Sequence, residues 1–307
     1  MYFYTTLTNV AFMIIYLLIG FILCKTKKAD ASHGKSLSAL LIYLCGPAMI
    51  LNAFLNVTYR KENLLQMGLF FIISFLLQAI IILILYLIFH KKFNNSLYRL
   101  LTIGAAFGNV GYFGLPIINS LFPKNPIVSC YSSVYVMSMN LLAFTLGVFM
   151  LTKNKKYISL KSAIINPTTL AISFSLPIYI LSINLPSALD NAISILGKMT
   201  TPLCMFVLGM RMSTVKVIEL FKRPVVYIAC FLKLIIFPLF AYLCVFFLPF
   251  LNYPFKASIL VLSSVPSAAI ILSLAELHQT EQEISANIVL LSTILCIITI
   301  PLLLLIL

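Results

Sequence analysis

The chain has 307 residues, 62% of them drawn from Ala, Val, Ile, Leu, Met, Phe, Trp, Tyr and Cys and only 9% charged, against roughly 25% charged in a soluble domain; its mean hydropathy is +1.10. A core built from this length of chain cannot hide so much apolar surface, which excludes a soluble enzyme, a disordered chain and a disulfide-stapled secreted module. The net charge of +14 lies in short loops between apolar runs, the pattern of loops held on the cytoplasmic side of a bilayer, so lipid is the expected partner and nucleic acid is not.

A bilayer-crossing helix needs about 20 mostly apolar residues. Ten such runs follow one another, at 3–24, 36–55, 64–89, 97–121, 128–152, 163–182, 188–210, 224–248, 256–275 and 284–307. The first has no basic stretch before it and no small-residue cleavage site after it, so it reads as a retained span rather than a signal peptide. The connections are short and leave no room for a separate soluble domain. Cys24, Cys45, Cys130, Cys204, Cys230, Cys244 and Cys296 form no CxxC pair and lie in or beside apolar stretches, as small buried hydrophobes do. His33, His90 and His278 fall in loops and do not cluster. No metal or haem ligand set exists, and no cofactor is expected.

Loops after odd-numbered spans carry fifteen Lys and Arg, among them Lys25, Lys91, Lys153, Arg211 and Lys216; loops after even-numbered spans carry four, Arg60, Lys61, Lys124 and Lys256. This asymmetry places both termini outside the cytoplasm of a multi-pass cell-membrane protein. The loop at 276–283, with Glu276, Glu281 and Glu283, departs from it, but acidic residues weigh little in the rule. Ten spans divide into five (1–152) and five (162–307) around the basic cytoplasmic loop 153–161. An odd number per half makes the second half enter with opposite topology, so two inverted repeats are possible by arithmetic. Pro47 in span 2 and Pro202 in span 7, and Pro116 in span 4 and Pro266 in span 9, are each separated by about half the chain, as such repeats require.

Span 4 reads RLLTIGAAFGNVGYFGLPIINSLF. Gly104 and Gly108 suit close helix packing, but Gly108, Asn109, Gly111, Gly114 and Pro116 together make a poor continuous helix and predict an unwound stretch near 108–116. Span 9 carries Pro266 near its middle, flanked by Ser263, Ser264 and Ser267. With both spans broken near the midplane and running in opposite directions, two helix N-termini converge there. Each presents unpaired N–H groups and about half a positive charge, which is a ready anion site. Asn109 and the serines are suited to share the ligand, as Tyr112 is beside them. No span holds a central Asp or Glu, which tells against a carboxylate-based ion antiporter; no Asp-rich metal motif or placed nucleophile points to a membrane enzyme. Lys233 in span 8 either snorkels to a leaflet or neutralises a bound anion. Lys198 in span 7 reads as a snorkelling residue. Asn140 in span 5 makes an interhelical hydrogen bond or binds substrate or a coupling cation.

The GNVGYFGLPIINSLF run of span 4 resembles the auxin efflux carrier family, particularly its bacterial members. TPLCMFVLGMRMS in span 7, LKLIIFPL in span 8, VPSAAIILSLAE in span 9 and the tail ISANIVLLSTILCIITIP extend the resemblance over essentially all ten spans. It implies an all-α fold of the bile-acid/sodium symporter type. Spans 1, 2, 6 and 7 would form a scaffold; spans 3–5 and 8–10 would form a transport core in which broken spans 4 and 9 cross. The core would move in elevator fashion. The substrates implied are small organic anions: auxin-like acids, malate, malonate or related carboxylates. Asn109, Pro116 and Pro266 carry over as crossover residues. The long cytoplasmic loop of the plant auxin exporters is missing here, and with it the basis for assigning their phosphorylation control or their specificity.

The reading is a secondary carrier of small organic anions with a site at Gly108, Asn109, Gly111, Tyr112, Pro116, Ser264, Pro266 and Ser267, seconded by Asn140 and Lys233. The alternatives are a membrane sensor that binds the anion without transport, or a channel, for which no continuous polar stripe is found. Coupling to Na+ or H+, the exact anion, the direction of transport and the oligomeric state, a homodimer included, are left open by the sequence.

Overall fold

The computed structural model describes residues 2–214 and 222–307. Lys216, counted above among the basic loop residues, lies outside them. Every named element is helical. Eight helices are long and apolar enough to cross a membrane: α1 (Tyr2–Lys25), α2 (Ala31–Leu55), α3 (Lys61–Lys92), α6 (Ile127–Thr152), α7 (Lys155–Ile180), α8 (Ser187–Thr214), α9 (Pro224–Phe246) and α12 (Gln282–Ile306). Among the described residues there are also four shorter helices: α4 (Ser96–Ala106), α5 (Val110–Leu121), α10 (Tyr253–Ser264) and α11 (Ala269–Leu277). The protein is a multi-pass membrane protein, and its surface is inverted relative to a soluble one. Phe12, Leu65, Leu87, Phe174, Ile195, Phe231 and Leu243 are exposed, while Thr102, Ser138, Ser263, Ser267 and Asn287 are buried inside.

Helix starts follow local chemistry that hydropathy does not register. Asn95, Asn166 and Asn252 each accept a hydrogen bond from a backbone N–H of the following turn, at 2.9, 3.0 and 2.9 Å, and so act as N-caps. Pro167 and Pro254 stand just inside the latter two helices, where the missing N–H costs nothing. The ninth apolar run therefore begins at Tyr253, three residues before its first wholly apolar stretch. The sixth is bent at Ile165 and Asn166, where Leu160–Ile164 ends and Pro167–Ile180 begins.

Among the described residues four turns are wider than α-helical, and three of them end two residues before a proline. Leu41–Cys45, Val110–Gly114 and Leu232–Ile236 are π-turns preceding Pro47, Pro116 and Pro238. In each, the residue before the proline donates five residues back: Gly46 to Leu41, Leu115 to Val110 and Phe237 to Leu232. The wider turn swings aside the carbonyl that a proline ring would otherwise strike. Ala143–Gly147 is a further π-turn with no proline behind it.

The most extensive contacts fall into two groups, which are joined where α1 also packs on α12 and α5. α1 lies along α8, and α2 packs on α7 and α8. α3 packs on α6, and α9 packs on α10 and α12. The α1–α8 contact is backbone on backbone. A Cβ built on Gly209 would lie 1.9 Å from the Leu17 carbonyl oxygen, and one on Gly20 2.3 Å from that of Phe206. Close approach through glycine is a usual device between helices in lipid. Gly209→Ala is therefore expected to force α1 from α8 and to destabilise the protein by about 1–3 kcal/mol, as overpacking does. Gly68→Ala, where an added Cβ meets nothing within 4 Å, is expected to be neutral or stabilising. Thermal unfolding of the two variants in detergent checks the contrast; equal midpoints would remove the backbone contact from the account.

Candidate functional site

The fourth and ninth apolar runs are both interrupted, and the two interruptions pair with each other. Between α4 and α5 lie Phe107, Gly108 and Asn109; between α10 and α11 lie Val265, Pro266, Ser267 and Ala268. Gly108 and Ser267 form an isolated antiparallel bridge. Asn109 N–H donates to the Pro266 carbonyl at 2.7 Å and Ala268 N–H to the Phe107 carbonyl at 3.0 Å. Ser267 N–H donates to Ser292 Oγ at 3.0 Å, and Pro266 has no N–H to place. Unwound backbone inside a bilayer survives only if its polar groups find partners in the protein, and these bonds supply them. The break is shorter than the predicted 108–116, because a π-turn bridged from Val110 to Leu115 accommodates Pro116 within a helix.

The four helix ends at this junction are treated unequally. α4 and α10 arrive with their carbonyl ends, which carry partial negative charge. Ser267 Oγ donates to the Gly104 carbonyl at 2.9 Å and Lys233 Nζ to the Ser263 carbonyl at 2.7 Å. Lys233 is fully buried, with its ammonium 4.9 Å from the Phe237 ring centroid. It neither snorkels nor lines this cavity; its amine donates to the carbonyl end of a helix. Gly108 leaves room for it, since a Cβ there would lie 2.9 Å from Nζ. α5 and α11 begin at the junction with their N–H ends. Asn109 and Ala268 make no side-chain cap, and the N–H groups of Gly111, Tyr112, Ala269 and Ile270 find no acceptor among the described residues.

These free N–H ends face a cavity of about 320 Å3, within the usual range for small-molecule sites. Gly108, Asn109, Gly111, Tyr112 and Asn140 line it. Asn109 and Asn140 are only 6% and 7% exposed, and what they do expose is turned to the cavity. Tyr112 ties the junction to the long helices: its carbonyl, freed by the π-turn, accepts from Thr201 Oγ1 at 3.0 Å, and its hydroxyl lies over Gly46, where a Cβ would be 3.3 Å away. Pro116, Ser264, Pro266, Ser267 and Lys233 do not line the cavity. Pro266, Ser267 and Lys233 hold the junction from behind, Pro116 shapes α5, and Ser264 donates to Val261 within its own helix at 2.8 Å.

The remaining walls come from residues that the sequence reading passed over. Ser132, Ser133, Val136 and Met139 share a face of α6 with Asn140; Met49, Cys204 and Arg211 come from α2 and α8. Ser132 Oγ is engaged by the Val110 carbonyl at 3.2 Å. The cavity opens past Ser38, Asn166, Arg211 and Ser273, toward the end of the bundle that carries the basic loops. Beyond Met49 lies a second space of about 410 Å3, lined by Asn52, Asn56, Asn119 and Ser129. Met49 borders both spaces, and its Cε comes within 3.6 Å of where a Cβ on Gly111 would stand. One thioether side chain thus forms part of the wall between a cavity open to the basic end and a vestibule at the opposite end.

A bundle of apolar helices encloses a largely apolar cavity with a few polar groups, walled by Met49 from a second space. A family model described as membrane transport protein matches residues 5–304, and the chain belongs to this family, the auxin efflux carrier type. No curated protein matches the sequence.

Met49→Ala is expected to open the wall. Cys204, the one cysteine lining the cavity, should then react with a membrane-impermeant thiol reagent added from the vestibule side of sealed vesicles, as it does not in the unaltered protein. Equal labelling of both proteins from that side would mean that Met49 is no barrier.

Proposed function

We propose that the protein is a secondary carrier of small organic anions, built from ten spans as two inverted five-helix repeats, 1–152 and 162–307. In this reading α4 with α5 is span 4 and α10 with α11 is span 9, crossing at the paired breaks. α1, α2, α7 and α8 form the scaffold; the other helices form the core that carries the site. The packing of α1 and α2 on α7 and α8, with that of α3 on α6 and α9 on α10, supports the division. In the same reading the basic loops lie in the cytoplasm, with the open end of the cavity beside them and both termini outside, which makes this arrangement inward-open.

The observation that carries the anion reading is the inequality of the helix ends. The protein supplies donors to the two carbonyl ends, through Ser267 and Lys233, and leaves the two N–H ends to the cavity. Gly111, Tyr112, Ala269 and Ile270 all line the cavity, so a carboxylate held there has free backbone N–H donors at either helix end, and in a site of low dielectric such donors act strongly. The Asn109 and Asn140 amides stand beside it. Leu41, Ile42, Val136 and Met139 give an apolar wall for the body of the acid. Mono- and dicarboxylates such as malonate, malate or auxin-like acids suit a space of this size. Lys233 bears on coupling as well: it holds by a fixed cation the carbonyl end where a mobile Na+ would otherwise be drawn.

Asn109→Ala removes one donor and leaves the backbone pairing in place. It is expected to lower carboxylate uptake into proteoliposomes by about 10-fold or more, the scale of one lost hydrogen bond to a charged group, with unfolding unchanged. In the unaltered protein, the transported acid should protect Cys204 from thiol reagents added at the open end. Uptake at the original rate in Asn109→Ala, together with no protection of Cys204 by any acid of the panel, would reject this site.

A further inference from the structure

Arg211 is the one charged side chain lining the cavity among the described residues. Its Nη1 lies 3.4 Å from Glu276 Oε1, longer than the roughly 2.7–2.9 Å of a close charge-assisted bond. The pair joins α8 to α11. Glu276 does not line the cavity. It belongs with Glu283 to a separate crevice of about 240 Å3, which Arg211 also borders. The guanidinium therefore stands between two environments of different character. On one side are two carboxylates; on the other is the cavity, which no other charged side chain lines among the described residues. In the empty cavity Glu276, near the C-terminal end of α11, is the anion within reach of the guanidinium. The pair is partly exposed, at 35% and 49% of the two side chains, and an exposed pair adds little to folding. Its partners are readily exchanged.

We propose that Arg211 is a recognition residue for the transported anion and that Glu276 holds its place when the cavity is empty. On loading, the guanidinium leaves the Glu276 carboxylate for a carboxylate at the cavity mouth. The inference rests on the carrier reading above. It adds a consequence for movement: the exchange unfastens α11 from α8, which is a contact between the core and the scaffold, so loading loosens what the core must leave in order to slide.

Cys204 reports on this without knowledge of the natural substrate. In membrane vesicles holding the full-length protein, its reaction with a sulfonatoethyl thiosulfonate reagent (an anion) is compared with its reaction with the trimethylammonium analogue, read by mass spectrometry of the Cys204 peptide. The anionic-to-cationic rate ratio is expected to fall about fivefold in Arg211→Gln, the scale of one unit charge at a partly screened mouth. It is expected to rise by a similar factor in Glu276→Gln. Opposite movement is the signature of two charges that both bear on the mouth, whereas charges remote from it would leave the ratio unchanged; the KM for malonate then separates recognition from a bystander pair. An unchanged ratio in either variant, or the same direction in both, overturns the inference. In proteoliposomes the KM for malonate should rise in Arg211→Gln, recover in part in Arg211→Lys and fall in Glu276→Gln. An unaltered protein that takes up no carboxylate would count against the carrier reading, whereas uptake with a KM indifferent to all three changes would count against Arg211 alone.

Discussion

The short antiparallel pairing between Phe107–Asn109 and Pro266–Ala268 is the constraint on which the rest of the structure depends. Two helices can be broken inside a bilayer only if the exposed peptide groups are answered by other peptide groups, and here each break answers the other. Neither could exist alone. The pairing demands a residue without a side chain at Gly108, where Val265 and Lys233 close in, and benefits from one without an N–H at Pro266. Once it is in place, the directions of the four half-helices are fixed, and the polarity of each end follows.

That polarity is then sorted. Side-chain donors, Ser267 and Lys233, go to the carbonyl ends, and the N–H ends receive no side-chain cap. A lysine in the cavity would bind anions too, but it would bind them as a mobile, strongly hydrated point charge. Backbone N–H groups held by helices carry no such freedom and need no reorganisation. Lys233 is placed behind the junction, where it holds the carbonyl end of α10. The π-turns before Pro47 and Pro116 serve the same end at one remove. They let prolines sit in helices beside the cavity, and one of the carbonyls they free, that of Tyr112, is taken by Thr201 of α8.

Much of this was legible in the chain because lipid imposes simple rules. Runs of apolar residues had to become helices, and a cluster such as Gly108, Asn109, Gly111, Gly114 and Pro116 had to disturb one. The position of the break was less legible: proline was read as unwinding the helix, whereas at Pro116 a wider turn absorbs it and the unwinding falls upstream at Phe107–Asn109. Lys233 was read as either snorkelling or substrate-binding, since nothing local reveals that its ammonium meets a carbonyl thirty residues away. Arg211 was counted as a loop charge for topology; its place on the cavity depends on the packing of α8 against α11. Met49, Ser132 and Ser133 carried no signal at all, being ordinary residues made relevant by what lies opposite them.

The π-turns have a further consequence for how this chain tolerates change in length. Each holds one residue more than an α-turn, in effect a single-residue insertion that the helix has absorbed. Deleting one residue from Leu41–Cys45 or Val110–Gly114 would restore α-geometry locally, yet rotate everything beyond it by about 100°. Met49 would turn away from the wall it forms, or Thr201 would lose the Tyr112 carbonyl. Elsewhere a helix in lipid can gain or lose a residue near its end and adjust by tilting. In these two segments the count of residues is itself under constraint, whichever side chains occupy them.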